Sequence, residues 1–174
     1  MTNSGSPSPK PDVLVYARMA QHSTAALREA VQALRELLER SFAQDTAAPG
    51  FPRSPESPAS TGHCAAVALI AHACLGADIV SATVQSESHW FNRIVTNEGV
   101  CDFDLTGDQF GFPSICIDAE GRLHSGTRVR DLSEANGETV ARARLLARRA
   151  GLPEVDQLLG RSAERVASTG LEVG

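Results

Sequence analysis

Apolar side chains recur every three or four positions in the first part of the chain, which is the period of a helix with one buried face. The pattern extends from about residue 12 to residue 43, and polar residues such as Arg35 occupy the positions between. The triplet His22-Ser23-Thr24 interrupts the pattern and predicts a new helix start, because such side chains cap the N–H groups of a first turn. We therefore expect an N-terminal helical segment in two parts. Its apolar face suits packing against the domain, and alternatively suits a partner helix.

Two stretches lack this periodicity. Residues 1–11 are rich in Ser, Pro and Gly, which predicts a disordered tail. Residues 44–60 contain four prolines, which predicts a loop without regular structure. A long ordered loop beside a reactive site often shapes a substrate cleft, but the same composition also suits a plain linker.

The next predicted helix extends from about His63 to Leu75 and ends at Gly76. Ser60 or Thr61 is the candidate N-cap. Because this segment is apolar nearly all round, we expect it to be buried inside the domain.

Alternation of apolar and polar residues then predicts strands at about 78–85, 89–95 and 100–105. The second and third are separated by Thr96-Asn97-Glu98-Gly99, which is typical of a hairpin. Less regular patterns predict short strands at about 114–117 and 122–129 and helices at about 132–151 and 154–167. Four arginines of the first of these helices are expected to face water: Arg142, Arg144, Arg148 and Arg149.

The 174 residues, of which 42% are hydrophobic and 21% charged, are enough for one domain with a substantial core. We expect residues 12–174 to form a single α+β domain, with a core at 61–118 and C-terminal helices at 132–167. The formal charge of -5 argues against a nucleic-acid partner.

The chain has no apolar run long enough to span a membrane, and its first residues lack the apolar region of a secretory signal. We therefore expect a cytoplasmic protein with no membrane partner. Its four cysteines are then expected to be thiols rather than disulfides. Three of them are interpreted as structural: Cys74, Cys101 and Cys116.

Cys64, His89 and Asp104 form a possible nucleophile, base and orienting acid, in that order along the chain. The first turn of a helix stabilises a thiolate through unpaired N–H groups and the positive end of the dipole. The backbone N–H of Cys64 can also help to bind an oxyanion.

The hairpin register tests whether the base can meet the acid. If Val95 pairs with Val100, His89 lies diagonal to Asp104 on one face of the sheet. Asp102 lies on the same face, two residues farther along, and remains the alternative orienting acid.

Three motifs carry a resemblance: Gly-His-Cys at 62–64, His-Trp-Phe-Asn-Arg-Ile at 89–94, and Asp-Leu-Thr-Gly-Asp-Gln-Phe at 104–110. Their order resembles the transglutaminase-like branch of the papain-like superfamily and, more closely, small bacterial YunG-like proteins. The resemblance implies a papain-like core, in which a central helix packs on a small antiparallel sheet. It also implies a Cys64–His89–Asp104 triad. The chain departs from the wider pattern at Leu105, where the transglutaminase-like motif has proline.

These residues predict a cysteine hydrolase or acyltransferase that works through a thioester and needs no cofactor. The expected partner is a small-molecule or peptide acyl substrate. His63, Trp90 and Gln109 are further candidates for binding substrate or oxyanion. The alternative is a non-catalytic papain-like module that binds a partner protein.

A zinc site is a second chemical possibility, with candidate ligands His63, Cys64, His72, Cys74 and His89. Their spacing matches no standard zinc motif, so we expect no metal. The remaining histidines, His22 and His124, are interpreted as surface residues. Asp108 is interpreted as a turn residue or a substrate ligand.

Overall fold

The computed structural model describes residues 13–169; the predicted tail at 1–11, residue 12 and residues 170–174 lie outside the described part. The described helices are α1 (Val13–Ala20), α2 (Thr24–Glu39), α3 (Cys64–Leu75), α4 (Gly137–Arg149) and α5 (Pro153–Thr169). The described strands are β1 (Asp78–Val84), β2 (Glu87–Thr96), β3 (Gly99–Asp104), β4 (Cys116–Asp118) and β5 (Arg128–Arg130). Short 3-10 helices span Gly107–Phe110 and Leu132–Glu134.

The five strands form one antiparallel sheet in the order β4-β3-β2-β1-β5. Val95 pairs with Val100, which confirms the predicted hairpin register. The sheet extends beyond the predicted core of residues 61–118, because β5 pairs with β1 through Ile79–Arg130. The chain therefore has a mixed α/β fold, as expected from its pattern.

Helix α3 lies at the centre of the molecule, between the sheet on one side and helices α1, α4 and α5 on the other. This position explains its sequence, because a helix covered on all sides needs apolar residues all round. Its buried residues join those of β2 and β3 in one core cluster that includes Leu69, Ile70 and Phe103. Gly76 ends α3 in the left-handed conformation, at φ 68°, as the sequence predicts.

The predicted N-cap of α3 is wrong. His63 occupies the cap position, and its side chain makes no capping hydrogen bond. The Thr61 hydroxyl donates to the carbonyl of Pro58, and the Ser60 hydroxyl donates to Asp108, so neither is free to cap the helix. Ser23, in contrast, caps α2 by accepting a hydrogen bond from the N–H of Ala26, as expected.

Arg35 holds the N-terminal helices to the loop after β3, although its sequence position is a polar one in the helical pattern. Arg35 is 2% exposed, and its guanidinium donates to the carbonyl of Leu105. It also donates to the two carboxylate oxygens of Asp108, each of which lies 3.1 Å away. The carboxylate of Asp108 is therefore already bonded to Arg35 and Ser60. Burial opposes its ionisation, but the bonds to Arg35 and Ser60 lower the pKa of its carboxyl.

The C-terminal helical region begins later than predicted. Residues 132–134 form a single 3-10 turn, and α4 starts only after Asn136, whose side chain accepts from the N–H of Thr139. This cap breaks the helix that the apolar spacing of 132–151 predicts. Among residues 13–169, no helix combines the length and apolar character needed to cross a bilayer.

Candidate active site

Cys64 is the first residue of α3, and it is half-buried at the wall of a cavity of about 440 Å³. The chain enters the helix through Gly62, whose φ of 76° is in the left-handed region. A Cβ at Gly62 would lie 3.0 Å from Cβ of Phe51 and 3.1 Å from Cβ of Ala47. Glycine therefore lets the proline-rich loop pack tightly against the helix start, which places the thiol at the cavity.

His89 and Asp104 meet across the hairpin, as the register predicts. Nε2 of His89 lies 2.7 Å from Oδ2 of Asp104, and both residues are almost completely buried. The other carboxylate oxygen accepts from the N–H of Thr106 at 2.8 Å and from its hydroxyl at 3.0 Å. These bonds fix the plane of the carboxylate and, through it, the orientation of the imidazole.

The free edge of the imidazole is its Nδ1, which is buried and has no hydrogen-bond partner among the described residues. Burial lowers the pKa of His89, but the hydrogen bond with Asp104, the nearby Cys64 sulfur and the negative charge of Asp104 raise it to about 9. For Asp104, burial raises the pKa, yet the nearby imidazoles of His124 and His89 and the N–H of Thr106 bring it well below its usual range. The pair therefore favours imidazolium and carboxylate at neutral pH.

Asp102, the alternative orienting acid, does not contact His89. It lies on the same face of the sheet, but its carboxylate accepts from Nε of Arg93 at 2.7 Å and from Nη2 at 3.1 Å. The N–H of Leu123 donates to it as well, at 3.2 Å. The diagonal pairing of β2 with β3 brings Asp104, and not Asp102, to the histidine.

Two of the three further candidates line the cavity. Trp90 and Gln109 both lie on its wall, half-buried. Nε2 of Gln109 donates to the carbonyl of Thr106 at 3.1 Å, and the amide has a second N–H.

His63 lies elsewhere, fully buried against the proline-rich loop, with Nε2 2.8 Å from the hydroxyl of Thr46 and Nδ1 3.0 Å from the carbonyl of Thr61. Burial and the nearby charge of Arg53 lower its pKa to about 4, so the ring is neutral. His63 is thus not positioned as an oxyanion donor.

The cavity is built from several segments of the chain. Its walls come from the proline-rich loop, the start of α3, β2, the loop after β3, and the start of α4. The loop contributes Ala48 and Phe51, which favours its role as a cleft wall over that of a plain linker. Most of the surface is apolar, and the charged side chains on the wall are Glu87, Glu134 and Arg142.

His124 is the site residue that sequence reasoning missed. It lies on the connection between β4 and β5, and its side chain is only 12% exposed, so its assignment to the surface is wrong. Its Nε2 lies 3.9 Å from Oδ2 of Asp104 and has no hydrogen-bond partner among the described residues. Its ring meets those of His89 and Phe91 edge-on, with centroids 5.6 Å and 5.0 Å away. His124 thus covers one side of the His89–Asp104 pair.

The zinc ligands considered from the sequence do not come together. Cys64 and Cys74 lie ten residues apart on one helix, which separates them by about 15 Å along its axis. His72 bonds the carbonyl of Ala77 through Nδ1 at 2.7 Å.

A different set of three, His89, Asp104 and His124, has its ligand atoms within 4.8 Å of one another. Two ligands of one tetrahedral zinc lie about 3.3 Å apart. The 2.7 Å contact between His89 and Asp104 is shorter and is that of a hydrogen bond. We therefore interpret His89 and Asp104 as a hydrogen-bonded pair, with the His124 ring packed beside it.

The other three cysteines do not line the cavity. Cys74 and Cys101 are each 1% exposed, and burial raises the pKa of Cys74 to about 12. Cys116 is half-buried, like Cys64, but burial and the charges of Asp104 and Asp108 raise its pKa to about 11. At neutral pH the Cys74 and Cys116 thiols are therefore protonated and unreactive.

Comparison with known proteins gives one match. A family model described as YunG protein matches residues 30–148, which is more than half of the 174-residue chain and includes Cys64, His89 and Asp104. No curated protein and no solved structure matches the chain.

Proposed function

We propose that this chain, which belongs to the YunG family, is a cysteine acyl-transfer enzyme with a papain-like, transglutaminase-like core. Cys64 is the nucleophile, His89 the general base and acid, and Asp104 the residue that orients His89. The observation that carries the proposal is the buried 2.7 Å bond between His89 and Asp104, with the opposite ring nitrogen unpaired among the described residues and Cys64 at the start of α3 on the cavity wall.

The first half of the reaction forms a thioester. Nδ1 of His89 holds the thiol proton as imidazolium, and the Cys64 sulfur attacks the substrate carbonyl carbon to form a C–S bond. The tetrahedral intermediate collapses as the bond to the leaving nitrogen, oxygen or sulfur breaks. His89 returns its proton to that leaving group, which departs neutral.

The second half regenerates the thiol. His89 takes a proton from water or from an amine, whose lone pair attacks the thioester carbon. The C–S bond then breaks, and the proton passes from His89 to the Cys64 sulfur. Water makes the protein a hydrolase of amides or thioesters, and an amine makes it an acyltransferase. Hydrolysis and transfer to an amine are both consistent with these residues, and neither reaction needs a cofactor.

Two donors face the developing oxyanion. The backbone N–H of Cys64 belongs to the first turn of α3, where N–H groups have no partner within the helix. The second N–H of the Gln109 amide is the other candidate, because this side chain lies on the same cavity wall. The apolar cavity of about 440 Å³ suits the acyl part of a small molecule or peptide.

Acylation of the protein by an activated ester tests the proposal directly. After incubation with p-nitrophenyl acetate, we expect one acetyl group on the Cys64 peptide by mass spectrometry and a burst of nitrophenol. Cys64→Ser and His89→Ala should lose both, and Cys116→Ser should retain both. Equal acetylation of wild type and His89→Ala at Cys64 would contradict the proposal. A protein that never acylates is better described as the alternative, a module that binds a partner protein in this cavity.

A further inference from the structure

Arg142 differs from the other arginines of α4. Arg144 and Arg148 both pair with Asp156, and Arg149 pairs with Asp45. Arg142 has no carboxylate within 4.0 Å among residues 13–169; its contact there is a hydrogen bond from Nη2 to the hydroxyl of Thr139, at 3.0 Å. It also does not face open water as the helical pattern predicts, because it is half-buried and lies on the wall of the Cys64 cavity.

A guanidinium in a partly apolar cavity is costly to desolvate unless an anion accompanies it. The start of α4, which lies beside Arg142 on the cavity wall, also favours an anion there. Asn136 and Thr139, at the first turn of α4, line the same wall, and the N-terminal end of a helix carries a partial positive charge. The Arg142 side chain thus presents positive charge to one part of the cavity, while the exposed Glu138 in the first turn of α4 offsets part of the charge of the helix end.

The two acids on the wall do not cancel this charge. Glu134 is already matched, because its carboxylate accepts from Arg128, from Arg130 and from the N–H of Asp131. Glu87 begins β2 and is exposed to water, where its field is screened. Of the three charged side chains on the wall, Arg142 is thus the one that is half-buried and has no counter-ion among the described residues.

We propose that the cavity selects acyl substrates with a carboxylate at the end remote from the reacting carbonyl, and that Arg142 binds this carboxylate. The inference rests on the proposed function, since it takes Cys64 as the reacting end. A planar guanidinium bonds a carboxylate through two parallel N–H donors, which gives both affinity and orientation. A cavity of about 440 Å³ is roughly 9 Å across if spherical, which suits an acyl chain of moderate length.

Iodoacetamides that differ only in a distal group can test this assignment at Cys64. Three probes share a linker of about five methylene groups and end in a carboxylate, a primary amide or an ammonium group. Second-order rate constants for Cys64 labelling are measured by peptide mass spectrometry in wild type, Arg142→Gln and Arg142→Lys. Arg148→Gln is the matched control, because it removes an exposed arginine of the same helix that lies off the cavity wall.

We expect the carboxylate probe to label wild type about tenfold faster than the amide probe, which is the factor for one charge-assisted contact. The ratio should fall to about one in Arg142→Gln. The carboxylate-to-amide rate ratio should stay near the wild-type value in Arg148→Gln and should fall only in part in Arg142→Lys. Added salt should lower the ratio in wild type. An unchanged ratio in Arg142→Gln, or fastest labelling by the ammonium probe, would overturn the inference and leave the nucleophile in place. If unmodified iodoacetamide also fails to label Cys64, the proposed function is wrong and the inference fails with it.

Discussion

Asp104→Asn should change the titration of His89 more than any other single substitution on this face of the sheet. The pKa of His89 is about 9, against an ordinary value of 6.5, although burial acts to lower it. With the carboxylate removed, burial is the largest remaining influence, so we expect the pKa to fall below 6.5. The pKa of His89 should therefore fall by about 2.5 or more. This fall means that the carboxylate favours the protonated over the neutral ring by about 3 kcal/mol.

The same interaction affects the free energy of unfolding. Because the folded-state pKa of His89 is raised, its stabilising contribution is complete below the unfolded value near pH 6.5 and is lost as the pH rises through about 9. We therefore expect the wild-type contribution from this group to decrease by up to about 3 kcal/mol across that interval. Asp104→Asn should lack this pH dependence.

The assay is NMR titration of the His89 ring, combined with urea unfolding at about pH 6 and about pH 9.5. Asp102→Asn is the matched control, since Asp102 is buried on the same face but pairs with Arg93. It should leave the pKa of His89 within a few tenths of a unit of wild type. The reasoning is refuted if His89 titrates alike in wild type and Asp104→Asn, or if Asp102→Asn shifts it equally.

Three further substitutions test the supports of the site. Asp108→Ala leaves the buried Arg35 guanidinium with only the exposed carboxylate of Glu39, at 3.5 Å, so urea unfolding should show a loss of about 3 kcal/mol; a loss below about 1 kcal/mol contradicts this role. Gly62→Ala forces a side chain into a left-handed, crowded position and should cost about 1–3 kcal/mol and slow Cys64 labelling; wild-type stability would exclude the strain. His124→Ala opens one side of the His89–Asp104 pair, so the proton between them should exchange faster with water by NMR; unchanged exchange would mean that His124 does not cover the pair.

Local patterns were sufficient to predict the hairpin that unites His89 with Asp104. A short polar loop and strict alternation determine which residues face each other, and register follows from those two features. The central helix was equally predictable from its continuous apolar sequence. These parts of the site depend on neighbours that are close along the chain.

Several of the failures depend on contacts that are distant along the chain. Arg35 and Arg142 both lie at polar positions of helical patterns. Arg35 is nevertheless buried, and Arg142 lines the cavity, because other segments of the chain cover these positions. His124 belongs to a connection without periodicity, so nothing in the sequence reports its approach to Asp104. His63 was considered because it adjoins Cys64, but neighbouring helix positions point in different directions.

The most direct test of the central claim is the labelling rate of Cys64 with iodoacetamide, measured on native protein by peptide mass spectrometry. Cys116 serves as an internal reference, because it is also half-buried but its raised pKa, about 11, keeps it protonated. At pH 7 we expect Cys64 to label at least a hundredfold faster than Cys116, and His89→Ala to remove most of this difference. Equal rates at the two cysteines, or a Cys64 rate unaffected by His89→Ala, would contradict an activated nucleophile at this site.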